Sequence, residues 1–243
     1  MRRIRYRDIA DALRLRVESG ELGPGSVLPS EADLSAAYDA SRVTVRRALE
    51  QLREEGLVDS RQGFGWFVAT DPLRQSLGRL ATIEGQLKAS GVQPERRVLD
   101  FAFVTPPAWV RALLDADRVL EVRRVNLADG QPFARVTVWC PEELGARLSR
   151  DEVEQSPFYE LLPVELGGAT QTIGAAAASS ADAELLAVPT GSPVLRCHRV
   201  TTTVEGRPVL VSEHVFPAHR TEFVVDLPRA GRSIAPTGLR LVE

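Results

Sequence analysis

The sequence predicts an α+β chain in two parts: a small three-helix unit closed by a β-hairpin, then a larger antiparallel sheet with helices against it. Three observations predict it. An arginine-bearing amphipathic helix can be drawn between Ser41 and Gly56, two short strand-like runs around a glycine tip follow it, and beyond residue 100 a unit of helix, strand, turn and strand is used twice. The 243 residues suffice for two modest hydrophobic cores.

In chain order, Tyr6 to Ser19 places Ile9, Leu13 and Val17 on one helical face and stops at Gly20. Gly23-Pro24-Gly25 then breaks the chain. Leu28-Pro29-Ser30-Glu31-Ala32-Asp33-Leu34 reads as a proline-led turn with Ser30 capping a short helix that ends near Asp39-Ala40. In the next helix Val45, Ala48, Leu49 and Leu52 fall at i, i+3, i+4 and i+7, so one stripe is apolar, while Arg42, Arg46 and Arg47 make the opening turns cationic. Ser41 caps its start, and Gly56 suits the left-handed residue that ends it. Taken alone, this is equally an ordinary amphipathic helix with a solvated charged face.

Its neighbours add a second reading. Two short helices joined by a tight turn form the helix-turn-helix pattern, whose second helix lies in the DNA major groove. Leu57 to Arg61 and Trp66 to Ala69, separated by Gln62-Gly63-Phe64-Gly65, make a hairpin wing. Arginine's planar fork holds guanine O6 and N7, or a phosphate, through two hydrogen bonds, and the amino end of a helix favours anions. Glycine at the tip lets backbone approach the sugar-phosphate wall.

From Tyr6 to Ala69 the chain resembles the N-terminal domain of the GntR family of bacterial transcription regulators. The residues that carry the likeness are Leu28-Pro29-Ser30-Glu31, Ser41 to Leu49 and Gln62 to Val68. The resemblance implies that Arg42 and Arg46 reach phosphates and base edges, that Thr44 and Arg47 contact the backbone, and that the Gly63 to Gly65 tip enters the minor groove. Ser30 and Ser41, at the two helix starts, belong to the same expected DNA-binding set.

A formal net charge of -3 is not that of a strongly basic nucleic-acid binder. Residues 1–70 hold eleven Arg against eleven Asp plus Glu, so DNA binding would rest on where the arginines sit. Arg42, Arg46 and Arg47 lie on one helix, and Arg2, Arg3, Arg5 and Arg7 form an N-terminal arm. No apolar run follows that arm as a signal peptide requires, and none later has the length of a membrane span. Cys140 and Cys197 lack CxxC spacing and read as small buried residues of a cytoplasmic protein.

Thr70 to Ser76 has neither period nor apolar mass and is the expected linker. In the second part, Val119 to Val125 is echoed by Val194 to Val200, and the turn Asp129-Gly130-Gln131-Pro132 by Glu205-Gly206-Arg207-Pro208. Each turn leads into a run ending in proline, Phe133 to Pro141 and Val209 to Pro217, and each copy follows a helical run, Trp109 to Asp115 and Ala181 to Ala187. Two such units can share one sheet. The run Ala175 to Ala178 is open to helix or strand, with Thr170 to Ile173 before it favouring strand.

Leu77 to Pro228 resembles the UTRA effector domain, of chorismate-lyase-like fold, that follows the winged helix in the HutC branch of the GntR family. The carrying residues are Val119 to Arg124, Ala128 to Pro132, Ser156 to Leu162, Leu186 to Leu195 and Glu205 to Pro208. The resemblance implies a homodimer, read as a repressor of a palindromic double-stranded DNA operator, and a small-molecule metabolite bound in this domain. Its pocket would involve Thr82, which can cap a helix over Ile83 to Ala89, and Arg124, the family's pocket arginine. Arg199, the counterpart of Arg124 in the repeat, together with Arg135, Tyr159 and Glu213, completes the expected effector set. Arg124 and Arg199 are equally read as strand arginines in salt bridges, and Tyr159 as core. Glu213 and His214 are strand neighbours, so only one can face a pocket.

Several positions depart from the sugar-phosphate-binding members. Asn126 stands at their second pocket arginine, Val136 and Leu210 at pocket glutamates, and Pro157 at the serine of their Ser-x-Tyr segment. A smaller or less charged metabolite is thus as consistent as a phosphosugar. His198, His214 and His219 lack metal-ligand spacing, and no cofactor is expected. No Ser-His-Asp order, P-loop, GxGxxG or paired carboxylates appear, which disfavours the alternative, a small-molecule enzyme of chorismate-lyase-like fold with a protein-contacting winged helix. The exposed arginines likewise disfavour a protein-contacting wing. The expected division is 1–69 DNA-binding, 70–76 linker, 77–228 effector and dimerisation, and 229–243 tail.

Overall fold

The structure, a computed structural model, describes residues 6–61, 64–70, 72–76 and 93–225. Helices α1 (Tyr6–Glu18), α2 (Glu31–Ala37) and α3 (Arg42–Glu54) precede a hairpin of β1 (Val58–Arg61) and β2 (Gly65–Val68). The expected stripe docks α3: Val45, Ala48, Leu49 and Leu52 are fully buried against Ile9, Ala10 and Leu13 of α1 and Leu34 of α2. Burying each leucine contributes about 1.5–3 kcal/mol, more than the propensity of a 13-residue helix with this many charges supplies.

The ends are those the sequence marks. Ser30 and Asp33 form a reciprocal capping box at α2, and Ser41 Oγ accepts from Thr44 N at α3. At the far end Gly56 takes φ +74°, and Leu57 N donates to Leu52 O, closing the helix with a left-handed residue.

The second part is a six-stranded antiparallel sheet in the order β4-β5-β6-β9-β8-β7. Its strands are β4 (Pro94–Val104), β5 (Val119–Ala128), β6 (Gln131–Pro141), β7 (Leu166–Ala177), β8 (Pro193–Thr203) and β9 (Pro208–Pro217). The two repeat units are the hairpins β5-β6 and β8-β9, joined at the centre by β6 and β9. In the first turn Asp129 and Gly130 both take positive φ, as a two-residue hairpin turn requires. The alanine run enters a strand: β7 extends through Ala177, paired with β8.

Each face carries helices. On one lie α6 (Arg150–Gln155) and α7 (Phe158–Leu161), whose Val153, Phe158 and Leu162 join Val122, Val136, Val138 and Cys197 in the main core. On the other lie α4 (Ala108–Leu114) and α8 (Ser180–Leu186), the two repeated helices, packed on Trp139 and Val211 and on Val215 respectively. Helix α5 (Glu142–Gly145) follows β6.

The segment expected as linker holds a strand. β3 (Leu73–Ser76) pairs in parallel with β10 (Thr221–Val224), the strand after β9, so the chain between the two parts is tied to the segment that follows the six-stranded sheet. Arg2, Arg3 and Arg5, Gly63, Thr82 with its helix over Ile83 to Ala89, and the tail 229–243 lie outside the described residues.

Candidate functional site

Helix α3 presents its arginines outward. Arg42, Arg46 and Arg47 are exposed, Thr44 is half-buried, and Val43, not among the expected DNA contacts, is 78% exposed beside Arg42. Arg46 is not loose. Its Nε and NH2 donate to the two carboxylate oxygens of Glu31 on α2, at 3.0 and 2.7 Å, and Trp66 Nε1 of the wing donates to the same carboxylate at 3.3 Å. The hydrogen bond from Arg46 holds the Glu31 carboxyl below its usual range. Arg47 lies over the Tyr6 ring at 4.3 Å. Ser41 and Thr44 hydroxyls are 2.8 Å apart, so both point at the amino end of α3. Ser30 is spent on the α2 cap, and Gly65 is exposed with φ +95°.

The sequence expectation passed over Glu31, although it sits in the Pro29-Ser30-Glu31 run. Its signal was position: the first residue of α2 stands opposite the second turn of α3. Replacing it by glutamine removes the charge that orients Arg46. The expected result is more binding to random DNA, because a negative charge leaves the face, and a loss of about 0.5–1.5 kcal/mol in discrimination for operator. Competition binding measures both, and an unchanged ratio would leave Glu31 no orienting role.

The effector candidates divide between the two faces of the sheet. Arg124, Arg199 and Tyr159 come together on the face under α6 and α7, where Arg199 donates from NH1 to Tyr159 Oη at 2.9 Å and from Nε to Gln171 Oε1 at 2.7 Å. Arg124 and Asn126 are buried there, at 7% and 2% exposure. Between the arginines lie Ser212 and His214, 3.0 Å apart through Ser212 Oγ and His214 Nε2. Burial, with the guanidinium groups of Arg199 and Arg124 adding to it, pushes the His214 imidazole well below its ordinary value, so it is neutral at pH 7. The arrangement is cationic with neutral donors and acceptors around it, suited to a small molecule carrying one anionic group.

Arg135 and Glu213 stand on the opposite face, under α8. Arg135 Nε bonds Asp182 at 2.9 Å, and Glu213 takes Arg135, Arg196 and His198 at 2.8, 3.0 and 3.0 Å. Burial pushes the Glu213 carboxyl up, but the His198 hydrogen bond and the Arg135 and Arg196 guanidinium groups outweigh it and hold the group below its usual range. These charges satisfy one another and hold α8 to the sheet.

The split has a physical cause in the register. Counting back from Ala128↔Gln131 without interruption would set Arg135 opposite Arg124, but the register shifts between Asn126 and Leu127 and sets Val136 there. The second hairpin shifts at the matching place, between Thr201 and Thr202, so His214 rather than Glu213 faces Cys197. One extra residue in a strand sends everything beyond it to the other side.

His214, half-buried, and His219, buried, both bear on acid stability. His219, in the corner after β9, is pushed down to about 3, chiefly by burial and then by Arg220. The folded chain therefore refuses protons that the unfolded chain accepts near 6.5, so this stability is complete above pH 6.5 and is lost as the pH falls below it. Unfolding free energy should drop toward pH 5 with a slope approaching about 2.7 kcal/mol per unit for two protons. A flat profile from denaturant titrations would place both imidazoles in water.

Fold and faces together define a winged helix joined to a sheet domain, one face of which carries Arg124 and Arg199. Residues 5–68 match the family described as bacterial regulatory proteins, gntR family, and residues 89–222 match the UTRA domain. The chain belongs to the GntR family, in its UTRA-bearing HutC branch, and is a transcription regulator rather than an enzyme. It is 35% identical to the HTH-type transcriptional regulator Rv0792c of Mycobacterium tuberculosis, over 97% of this chain and 89% of that protein. It is 29% identical to the HTH-type transcriptional repressor NagR of Bacillus subtilis, over 90% and 93%. Among solved structures, PhnF from Mycobacterium smegmatis shares the fold at a TM-score of 0.61 and 23% identity, covering 90% of this chain and 98% of that one. Among the described residues no helix is long and apolar enough to cross a membrane.

Proposed function

We propose that the chain is a homodimeric repressor whose two α3 helices read the halves of a palindromic operator, and whose sheet domain binds a small anionic metabolite that alters operator affinity. Residues 1–69 form the DNA-binding part, 70–76 the linker and 77–228 the effector and dimerisation part. Arg42 and Arg46 take base edges and phosphates, Thr44 and Arg47 the backbone, with Ser30 and Ser41 at the helix starts and Gly63 and Gly65 at the wing tip. The exposed Val43 methyls suit a thymine methyl. Arg124, Arg199 and Tyr159 hold the metabolite with Thr82, while Arg135 and Glu213 support α8 from behind the sheet.

The observation that carries the reading is the Arg46-Glu31 pair. It holds a forked donor outward on the buried, capped helix of a matched DNA-binding family. Binding to fragments of the chain's own upstream DNA, at two salt concentrations and against random competitor, tests it. Competitor-resistant binding to one palindrome is expected. Binding that is equal on all DNA and vanishes with salt would leave phosphate contacts alone and refute the operator.

A further inference from the structure

The wing leans on the effector domain. Phe64, beside the wing tip, is 5% exposed, and its ring centroid lies 3.9 Å from that of His219. Phe67 meets the same imidazole edge-on at 5.0 Å. His219 is itself buried, with Nε2 3.2 Å from the carbonyl oxygen of Gly25. On either side of it the corner grips again. Ala218 O accepts from Arg61 NH1 at 3.1 Å, and the Arg220 side chain crosses Gly25 so closely that a Cβ there would collide with its Cδ. The Arg220 guanidinium donates to Leu186 O at the end of α8, and its backbone carbonyl accepts from Leu73 N at the start of β3.

We propose that the Pro217–Arg220 corner is a docking surface for this chain's own wing, and that corner and operator compete for it. The inference rests on the operator-binding reading above. Docked, the wing has both of its useful groups committed: Arg61, its cation, donates to a protein carbonyl, and the Phe64 tip is covered. The Phe64 ring is shut off from a sugar-phosphate backbone, and Arg61, though exposed, is drawn toward the corner.

The contact is built to release. It leaves His219 Nδ1 and Arg220 Nε buried with no protein hydrogen-bond partner among the described residues. Buried polar atoms left unmatched bring the docked and undocked states close in free energy, as a two-state element requires. The corner also continues β9, which carries Ser212, His214 and Phe216 on the face with Arg124 and Arg199, and the His214 and Phe216 rings stack at 9°. A ligand that shifts His214 therefore acts on the strand that ends in the docking corner.

Two variants test this on a palindrome-bearing fragment of the upstream DNA and on random duplex. His219→Ala should bind the operator fragment at least about fivefold tighter than the natural chain, the lower bound of ordinary coupling. The double variant Phe64→Cys/His219→Cys should close a disulfide under mild oxidant. Cys140 and Cys197 are buried, with thiols pushed up to about 12, and do not compete. The oxidised form should bind the operator at least about tenfold more weakly than the reduced form, with recovery on adding reductant. A folded His219→Ala chain with unchanged or weaker affinity overturns the proposal. So does a cysteine pair that does not close, or one that binds equally when closed. If His219→Ala fails to fold, the cysteine pair decides. Should the disulfide form while the reduced protein prefers no DNA sequence, the operator reading has failed and the docking itself stands.

Discussion

Replacing Arg46 by alanine should weaken operator binding by about 1–3 kcal/mol for each half-site and weaken binding to random DNA by less, so that discrimination falls. The size follows from geometry. Arg46 is exposed on the outer face of α3, yet its fork is already held by Glu31, so little rotamer freedom is lost when it meets a base. The competing role, a surface ion pair fastening α2 to α3, predicts a different result. Such pairs contribute about 0–1 kcal/mol to stability and nothing to discrimination. Measuring the operator-to-random ratio alongside the unfolding midpoint separates the two. A drop in midpoint with an unchanged ratio would put Arg46 off the DNA.

Replacing Arg124 by alanine should leave the operator affinity of the free protein intact and abolish its response to the metabolite. Arg124 is buried on the sheet face under α6 and α7 and lies across β6 from His214, far in sequence from the winged helix. If it holds an anionic group through charge-assisted hydrogen bonds, its loss costs about 2–5 kcal/mol of ligand binding, enough to remove the response at any ordinary concentration. Heat and circular dichroism must accompany the experiment. A chain that unfolds on losing Arg124 would show that the guanidinium serves the fold, and a chain that still responds normally would remove Arg124 from the ligand site.

Much of this was legible in the sequence because the informative features are local. The α3 stripe, the Ser30 and Ser41 caps and the Gly56 stop each depend on residues within two helical turns, and the doubled hairpin could be read from its Asp-Gly and Glu-Gly turns. β4 was not foreseen, since Pro94–Val104 is an edge strand carrying charges and a register shift between Val98 and Asp100, which spoils its alternation. The pairing of β3 with β10 was invisible for another reason: two four-residue strands find each other across nearly the whole effector domain. At the site, Arg124, Tyr159 and Arg199 converge, whereas Arg135 and Glu213 do not. Their side of the sheet is decided by one irregularity in each hairpin, and no residue pattern announces where an extra residue enters a strand.

We propose that a ligand on the Arg124-Arg199 face changes how α3 holds DNA. The most direct measurement is the operator dissociation constant with and without a metabolite shown by calorimetry to bind the protein, taken at saturating ligand and fixed salt. A change of at least about fivefold is expected, and it should be lost in the Arg124→Ala chain. Equal operator affinity at saturation, with the ligand demonstrably bound, would contradict it.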